Sequence, residues 1–82
     1  MKLDNVKMLK CKIRKEVDSL GTVRYYNSKD QLHRDNNLPA IECSNGDKRY
    51  YKNNQLHRDN DLPAIEYVNG NKEYWVNGIE VR

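Results

Sequence analysis

An all-β fold is predicted, a twisted antiparallel meander of repeated β-hairpins in a single domain. Three observations point there: a near-exact internal duplication, short runs that alternate polar and apolar residues, and Asn-Gly turn signals between those runs. Gln31-Leu32-His33-Arg34-Asp35-Asn36-Asn37-Leu38-Pro39-Ala40-Ile41-Glu42 recurs 24 residues later as Gln55 to Glu66, and only Asn37/Asp61 differs. The likeness continues through Gly46-Asp47-Lys48-Arg49-Tyr50-Tyr51 and Gly70-Asn71-Lys72-Glu73-Tyr74-Trp75, and again, one residue out of step, in Gly21-Thr22-Val23-Arg24-Tyr25-Tyr26. The chain divides into an N-terminal segment (1–20), a first repeat (21–45), a second (46–69) and a terminal half repeat (70–82). That last piece lacks the His-Arg-Asp motif, as a capping repeat would.

Each unit reads as two short strands. Asn45-Gly46 and Asn69-Gly70 mark tight turns, because Asn and Gly tolerate positive φ. A third such turn sits at Asn77-Gly78. Ala40 to Cys43 and Ala64 to Val68 lead into the first two turns; Lys48 to Tyr51 and Lys72 to Trp75 lead out. Pro39 and Pro63 donate no backbone hydrogen bond and belong at strand starts. Asp35–Leu38 and Asp59–Leu62 are loops. One hairpin per unit gives about seven to nine strands.

The first twenty residues admit two readings. Leu9, Cys11 and Ile13 alternate with Lys10, Lys12 and Arg14, a strand with one basic face. Val6, Leu9, Ile13, Val17 and Leu20 also fit a helical stripe. The strand is preferred, because Asp18-Ser19-Leu20-Gly21 then aligns with Cys43-Ser44-Asn45-Gly46 as a hairpin turn.

The 82 residues allow one domain and a thin core, with 37% hydrophobic and 33% charged residues. Phe is absent while Tyr numbers six and Trp one, which suits a sheet with a wet face. A net charge of +3 permits nucleic acid or an acidic protein as partner without demanding either. No apolar segment suggests a signal peptide or a membrane span, so an intracellular setting with reduced thiols is expected. Cys11 and Cys43 read as small inward strand residues. His33 and His57 would complete four zinc ligands with them, but the spacing is wrong for such a site. No metal or other cofactor is expected.

His33-Arg34-Asp35 and His57-Arg58-Asp59 spell a kinase catalytic-loop tripeptide, yet the other kinase elements and the length are missing. General-base chemistry by these pairs is weighed against a structural role. In the structural role Arg and Asp pair between neighbouring units and His donates to a loop carbonyl, and this is the preferred reading. The aromatic pairs say more, because adjacent strand residues face opposite ways. Tyr25, Tyr50 and Tyr74 fall with Val23 and Val76 and are expected toward the core, although Lys48 and Lys72 argue against it. Tyr26, Tyr51 and Trp75 fall with Arg24, Arg49 and Glu73 and are expected outward, as an aromatic ladder flanked by arginine. With Lys10, Lys12 and Arg14 they form the candidate binding set. Such rings and arginines anchor protein interfaces, and they also stack on single-stranded bases.

The unit resembles a tandem repeat of pattern Gly-x-x-x-aromatic-aromatic-x-x-Gly-x-Leu-His-Arg-x-x-Gly-Pro-Ala, grouped with MORN-type repeats and found in phage, giant-virus and bacterial proteins. The match spans Gly21 to Trp75 and is specific at Tyr50-Tyr51, Leu56-His57-Arg58 and Pro63-Ala64. It departs where Leu38 and Leu62 precede proline, and where Ser28 and Asn54 replace the glycine of a turn. The resemblance implies a repetitive β-sheet and no catalytic residue. A short Lys- and Asn-rich chain of this kind also looks like a phage protein that blocks a host defence complex, an anti-CRISPR role by analogy. The sequence-level expectation is thus a non-enzymatic module in the host cytoplasm, binding a host protein or ribonucleoprotein. A single-stranded RNA or DNA binder is the alternative. Monomer and homodimer through an edge strand stay open, and no membrane is involved.

Overall fold

The structure is a computed structural model and describes residues 13–82. It is all-β. The strands are β1 (Arg14–Val17), β2 (Val23–Tyr26), β3 (Ile41–Glu42), β4 (Lys48–Arg49), β5 (Tyr51–Lys52), β6 (Gln55–Leu56), β7 (Ile65–Glu66), β8 (Lys72–Glu73), β9 (Trp75–Val76) and β10 (Ile79–Glu80). Six of them make one antiparallel sheet in the order β1-β2-β3-β4-β7-β8, while β5–β6 and β9–β10 pair separately. Each repeat therefore adds two hairpins and not the expected one. The chain leaves the central sheet after β4, turns back through β5–β6, and returns as β7. Among the described residues no helix is long and apolar enough to cross a membrane.

Turn chemistry explains the two kinds of hairpin. In the central sheet the loops are Ser44-Asn45-Gly46 and Val68-Asn69-Gly70. Gly46 N–H donates to Cys43 O at 2.9 Å and Cys43 N–H to Asp47 O at 2.9 Å, with the same pattern from Tyr67 to Asn71. Only the glycines take positive φ, 106° at Gly46 and 96° at Gly70. These are type I turns closed by a glycine bulge, so Asn45 and Asn69 do not supply the positive φ that the sequence suggested. Instead Asn45 Oδ1 accepts the Asp47 N–H and Asn69 Oδ1 the Asn71 N–H. Two-residue turns with positive φ at both centres close the flanking hairpins, at Asn53-Asn54 and at the predicted Asn77-Gly78. The loops after the His-Arg-Asp motifs also carry paired positive φ, at Asn36-Asn37 and Asn60-Asp61. Asn and Asp tolerate this conformation better than other side chains, which accounts for their density here.

Asp18 to Gly21 forms the expected hairpin turn. Gly21 N–H donates to Asp18 O, and the Asp18 carboxylate accepts the Leu20 and Thr22 N–H groups. β1 then pairs with β2 from Arg14↔Tyr26 to Val17↔Val23, so the segment just ahead of this turn is a strand. The rest of the alternation, with Lys10, Cys11 and Lys12, lies outside the described residues.

The core is thin and lies along the centre of the main sheet. Ala40 and Ala64 are fully buried, followed by Ile65, Tyr50, Ile41 and Thr22. Pro39 and Pro63 are buried just ahead of β3 and β7. Each alanine is bonded on both sides: Tyr25 N–H donates to Ala40 O and Ala40 N–H to Arg49 O, and Tyr50, Ala64 and Glu73 repeat the pair. Cys43 opens a turn and is half-buried, where the sequence had suggested an inward strand position.

Candidate binding face

Residues opposed across an antiparallel ladder share a face, so the register sorts the central sheet into two rows. One row runs Val17, Val23, Glu42, Lys48, Glu66, Lys72. The other runs Glu16, Arg24, Ile41, Arg49, Ile65, Glu73. The expected division into a core face and an outward face is half right: Tyr50, expected toward the core, is buried, but both rows contribute to the core. The buried isoleucines stand on the arginine row, and the row of Val23 alternates glutamate with lysine. In a single-layer sheet the flanking segments have to cover both sides.

The motif arginines cover the glutamate–lysine side. Arg34 stacks on the Tyr25 ring at 3.7 Å and Arg58 on Tyr50 at 3.8 Å. Arg34 Nη1 donates to Pro39 O and Glu42 Oε2, both at 3.2 Å. Arg58 Nη1 repeats this toward Pro63 O at 3.1 Å and Glu66 Oε2 at 3.0 Å. Arg58 Nε also reaches back to Asn37 Oδ1 of the preceding repeat at 2.8 Å. The glutamate partner lies within the same repeat; the expected Arg–Asp pair between units is not formed within the tripeptides. It occurs instead between Arg82 and Asp61. Arg82 stacks on Tyr74 at 4.2 Å. The terminal half repeat thus keeps the motif arginine, and the 24-residue spacing of Arg34, Arg58 and Arg82 was the signal for it. Among these tyrosines Tyr50 is buried and its phenol is pushed up by desolvation. Tyr25 and Tyr74 are half-buried.

Both histidine rings are saturated. His33 Nδ1 accepts the Asn53 N–H at 3.1 Å and His57 Nδ1 the Asn77 N–H at 3.0 Å. A ring that accepts at Nδ1 carries its proton on Nε2 when neutral. The Nε2–H groups then donate to Asp35 at 2.9 Å and Asp59 at 2.7 Å, where a loop carbonyl had been expected. His57 and Lys52 hold the Asp59 carboxyl below its usual range. Each tripeptide clamps the turn of the following hairpin. The small crevice between Arg34, Lys52, His57 and Arg58 is lined by charged groups that already have partners: Lys52 and His57 share Asp59 within it, while Arg34 and Arg58 are held by Glu42 and Glu66 outside it. Tyr51 lines this crevice and is half-buried. Among the described residues no cluster of three or more His, Cys, Asp or Glu could hold a metal ion.

The arginine row has a different character. Arg24 is bound by Asp18 at 3.0 Å, which depresses the Asp18 carboxyl together with the Leu20 and Thr22 N–H groups. Arg14 pairs with Glu16 at 3.2 Å and with Asp30, and sits over the Tyr26 ring at 4.6 Å. Glu73 accepts the Tyr67 hydroxyl and the Trp75 Nε1–H, each at 3.0 Å. That hydrogen bond to Glu73, with desolvation, holds the Tyr67 phenol above its ordinary range. Arg49 stands between Ile41 and Ile65. Among the described residues it is the one arginine without an ion pair. Its Nε is buried with no hydrogen-bond partner, at a cost of about 1–3 kcal/mol. Among the described residues its Nη groups have no carboxylate within ion-pair distance.

The structure therefore gathers Arg14, Arg24, Tyr26, Arg49 and Trp75 along one side of the sheet, places Tyr51 in the crevice between repeats, and leaves Lys10 and Lys12 outside the described residues. Tyr26 and Trp75 are half-buried, so the side is studded with partly exposed rings and is not a projecting ladder. A scan against protein-family models finds no match to this chain, and neither the curated proteins nor the solved structures give one.

Proposed function

We propose that the chain is a non-catalytic protein-binding module that uses the Arg49 side of its sheet. In this reading it is a phage-encoded inhibitor that occludes a host defence complex of CRISPR type, acting in the host cytoplasm. The supporting observation is Arg49, a guanidinium set between two isoleucines, its Nε unsatisfied and no ion pair made to it among the described residues. Arginine and aromatic side chains on an apolar floor are the groups that carry binding energy in protein interfaces. A carboxylate from a partner would complete Arg49 with charge-assisted hydrogen bonds.

The same row favours protein over single-stranded RNA or DNA. A nucleic-acid strand needs a run of unneutralised cations to follow its phosphates. Here Arg24 and Arg14 are already neutralised by Asp18, Glu16 and Asp30, and Glu73 closes the far end with a negative charge. On this row, among the described residues, a single cation without an ion pair and with apolar neighbours suits an isolated acidic side chain. The test is capture of the partner from the host with wild-type, Arg49→Ala and Trp75→Ala chains whose far-UV spectra match. Loss of the captured complex in both variants is expected; undiminished capture overturns the assignment of this side. Binding of mixed oligonucleotides that weakens steeply with salt would replace the partner class.

A further inference from the structure

The register of the sheet repeats one docking event twice and presents its receiving half a third time. Val23-Arg24-Tyr25 receives Ala40-Ile41-Glu42: Arg24 pairs with Ile41, Val23 with Glu42, and Tyr25 N–H donates to Ala40 O at 2.8 Å. Lys48-Arg49-Tyr50 receives Ala64-Ile65-Glu66 in the same way, with Tyr50 N–H on Ala64 O at 2.7 Å. In both cases the stacked arginine, Arg34 or Arg58, then grips the proline carbonyl and the glutamate of the incoming segment.

Lys72-Glu73-Tyr74 is the third receiving strand. β8 is an edge of the sheet. Tyr74 N–H donates to no backbone carbonyl among the described residues, unlike Tyr25 and Tyr50. Arg82 already lies over the Tyr74 ring, tied to Asp61 through Nη2. Among the described residues Arg82 has neither the proline carbonyl nor the glutamate that its two counterparts bind. An open groove lined by Tyr67, Asn69, Asn71, Lys72 and Glu73 runs along this edge. The adjoining hairpin leaves Ile79 and Val81 exposed.

We propose that this edge takes an extended segment of Pro-Ala-Ile-Glu type from a partner protein by strand addition. The backbone of the segment would continue the sheet, its small residue would give its carbonyl to Tyr74 N–H, and its β-branched residue would oppose Glu73. Its acidic residue would meet Lys72 and Arg82. A second copy of this chain is a poor donor, because both of its Pro-Ala-Ile-Glu segments are already central in its own sheet. The edge adjoins the Arg49 row at Glu73, two strands from Arg49, and Arg49→Ala and Arg82→Ala tell the two sites apart, so either assignment can fail alone.

The probe is the peptide acetyl-Asn-Leu-Pro-Ala-Ile-Glu-Tyr-Val-amide, titrated into the ¹⁵N-labelled chain. Saturable shifts confined to Lys72–Trp75 and Arg82, with slowed exchange of the Tyr74 N–H, are expected. Replacing the peptide glutamate by lysine, or Arg82→Ala in the protein, should each weaken binding about tenfold. Three results overturn the proposal: no saturable shift up to about 5 mM peptide, equal binding of a scrambled peptide, or shifts that fall on Ile41, Arg49 and Ile65. A concentration-dependent dimer that protects Tyr74 N–H without peptide overturns the choice of partner.

Discussion

Truncating Arg58 to alanine tests the repeat architecture at its most heavily used side chain. Arg58 stacks on Tyr50, donates to Pro63 O, Glu66 and Asn37, and is only 11% exposed. Charge-assisted bonds within a half-buried site contribute about 1.5 kcal/mol each, and stacking on the tyrosine about 1 kcal/mol. Loss of the group also strands Glu66, which is 33% exposed and so partly rescued by water. Non-additivity trims the total to roughly 3 kcal/mol. Arg82 is 54% exposed, and its ion pair with Asp61 is screened. Arg82→Ala should cost about 0.5 kcal/mol, with Arg34→Ala in between at 22% exposure. Urea unfolding reads the difference directly. With a slope of about 1 kcal/mol/M the midpoint should fall by about 3 M for Arg58→Ala and by less than about 1 M for Arg82→Ala. Since a small domain has only about 5 kcal/mol in all, Arg58→Ala would leave a barely folded chain. Equal midpoint shifts at positions 58 and 82 would refute the reasoning.

The remaining predictions concern single contacts. Gly46→Ala should cost more than Gly70→Ala: both carry positive φ, but a Cβ at Gly46 would meet Val68 Cγ2 at 3.1 Å while Gly70 faces open space. Left-handed strain alone is about 1–2 kcal/mol, so thermal midpoints should separate the two by the added clash, and equal losses would contradict it. Imidazole ¹⁵N shifts should show the neutral form of both histidines with Nδ1 unprotonated and Nε2 protonated, and the opposite tautomer would dismantle the proposed clamp. Stability should fall on acidification through the carboxylate range. The Asp18 and Asp59 carboxyls are depressed in the fold by Arg24 and by His57, so their contribution is full above about pH 4 and is lost as pH drops below it. Asp18→Asn should flatten that part of the pH profile of the thermal midpoint; an unchanged profile would contradict the assignment.

Much of the fold could be read from the repeat. Equal sequence at a fixed spacing forces equal local structure, and glycine after Asn45 and Asn69 fixed where the chain reverses. The second hairpin was harder to see, because Asn53-Asn54 lacks glycine and asparagine reaches positive φ without announcing it. The face assignment held for the buried Tyr50 but missed the isoleucines, for a physical reason. Strand alternation predicts which residues share a side but not which side is covered, and in a one-layer sheet the cover comes from loop arginines. Arg34 and Arg58 lie over Tyr25 and Tyr50, so the Val23 row is covered despite its lysines, while Ile41 and Ile65 are buried beside Arg24 and Arg49. The histidine role was half legible. Proximity of His to Asp follows from spacing, but the bond from Asn53 or Asn77 needs the three-dimensional stacking of units. Arg49 was in the candidate set from the start, and its lack of an acceptor could be seen only once its neighbours were placed.

In the proposed function Arg49 is the contact that a partner completes. The most direct measurement is the affinity of the complex recovered from the host for wild type against Arg49→Gln, a variant that keeps a polar, hydrogen-bonding side chain but is shorter and carries no charge. A loss of at least about a hundredfold, as for other hydrogen-bonded charges buried on binding, is the predicted result. An affinity unchanged by Arg49→Gln, with the partner still bound at one-to-one stoichiometry, would contradict it.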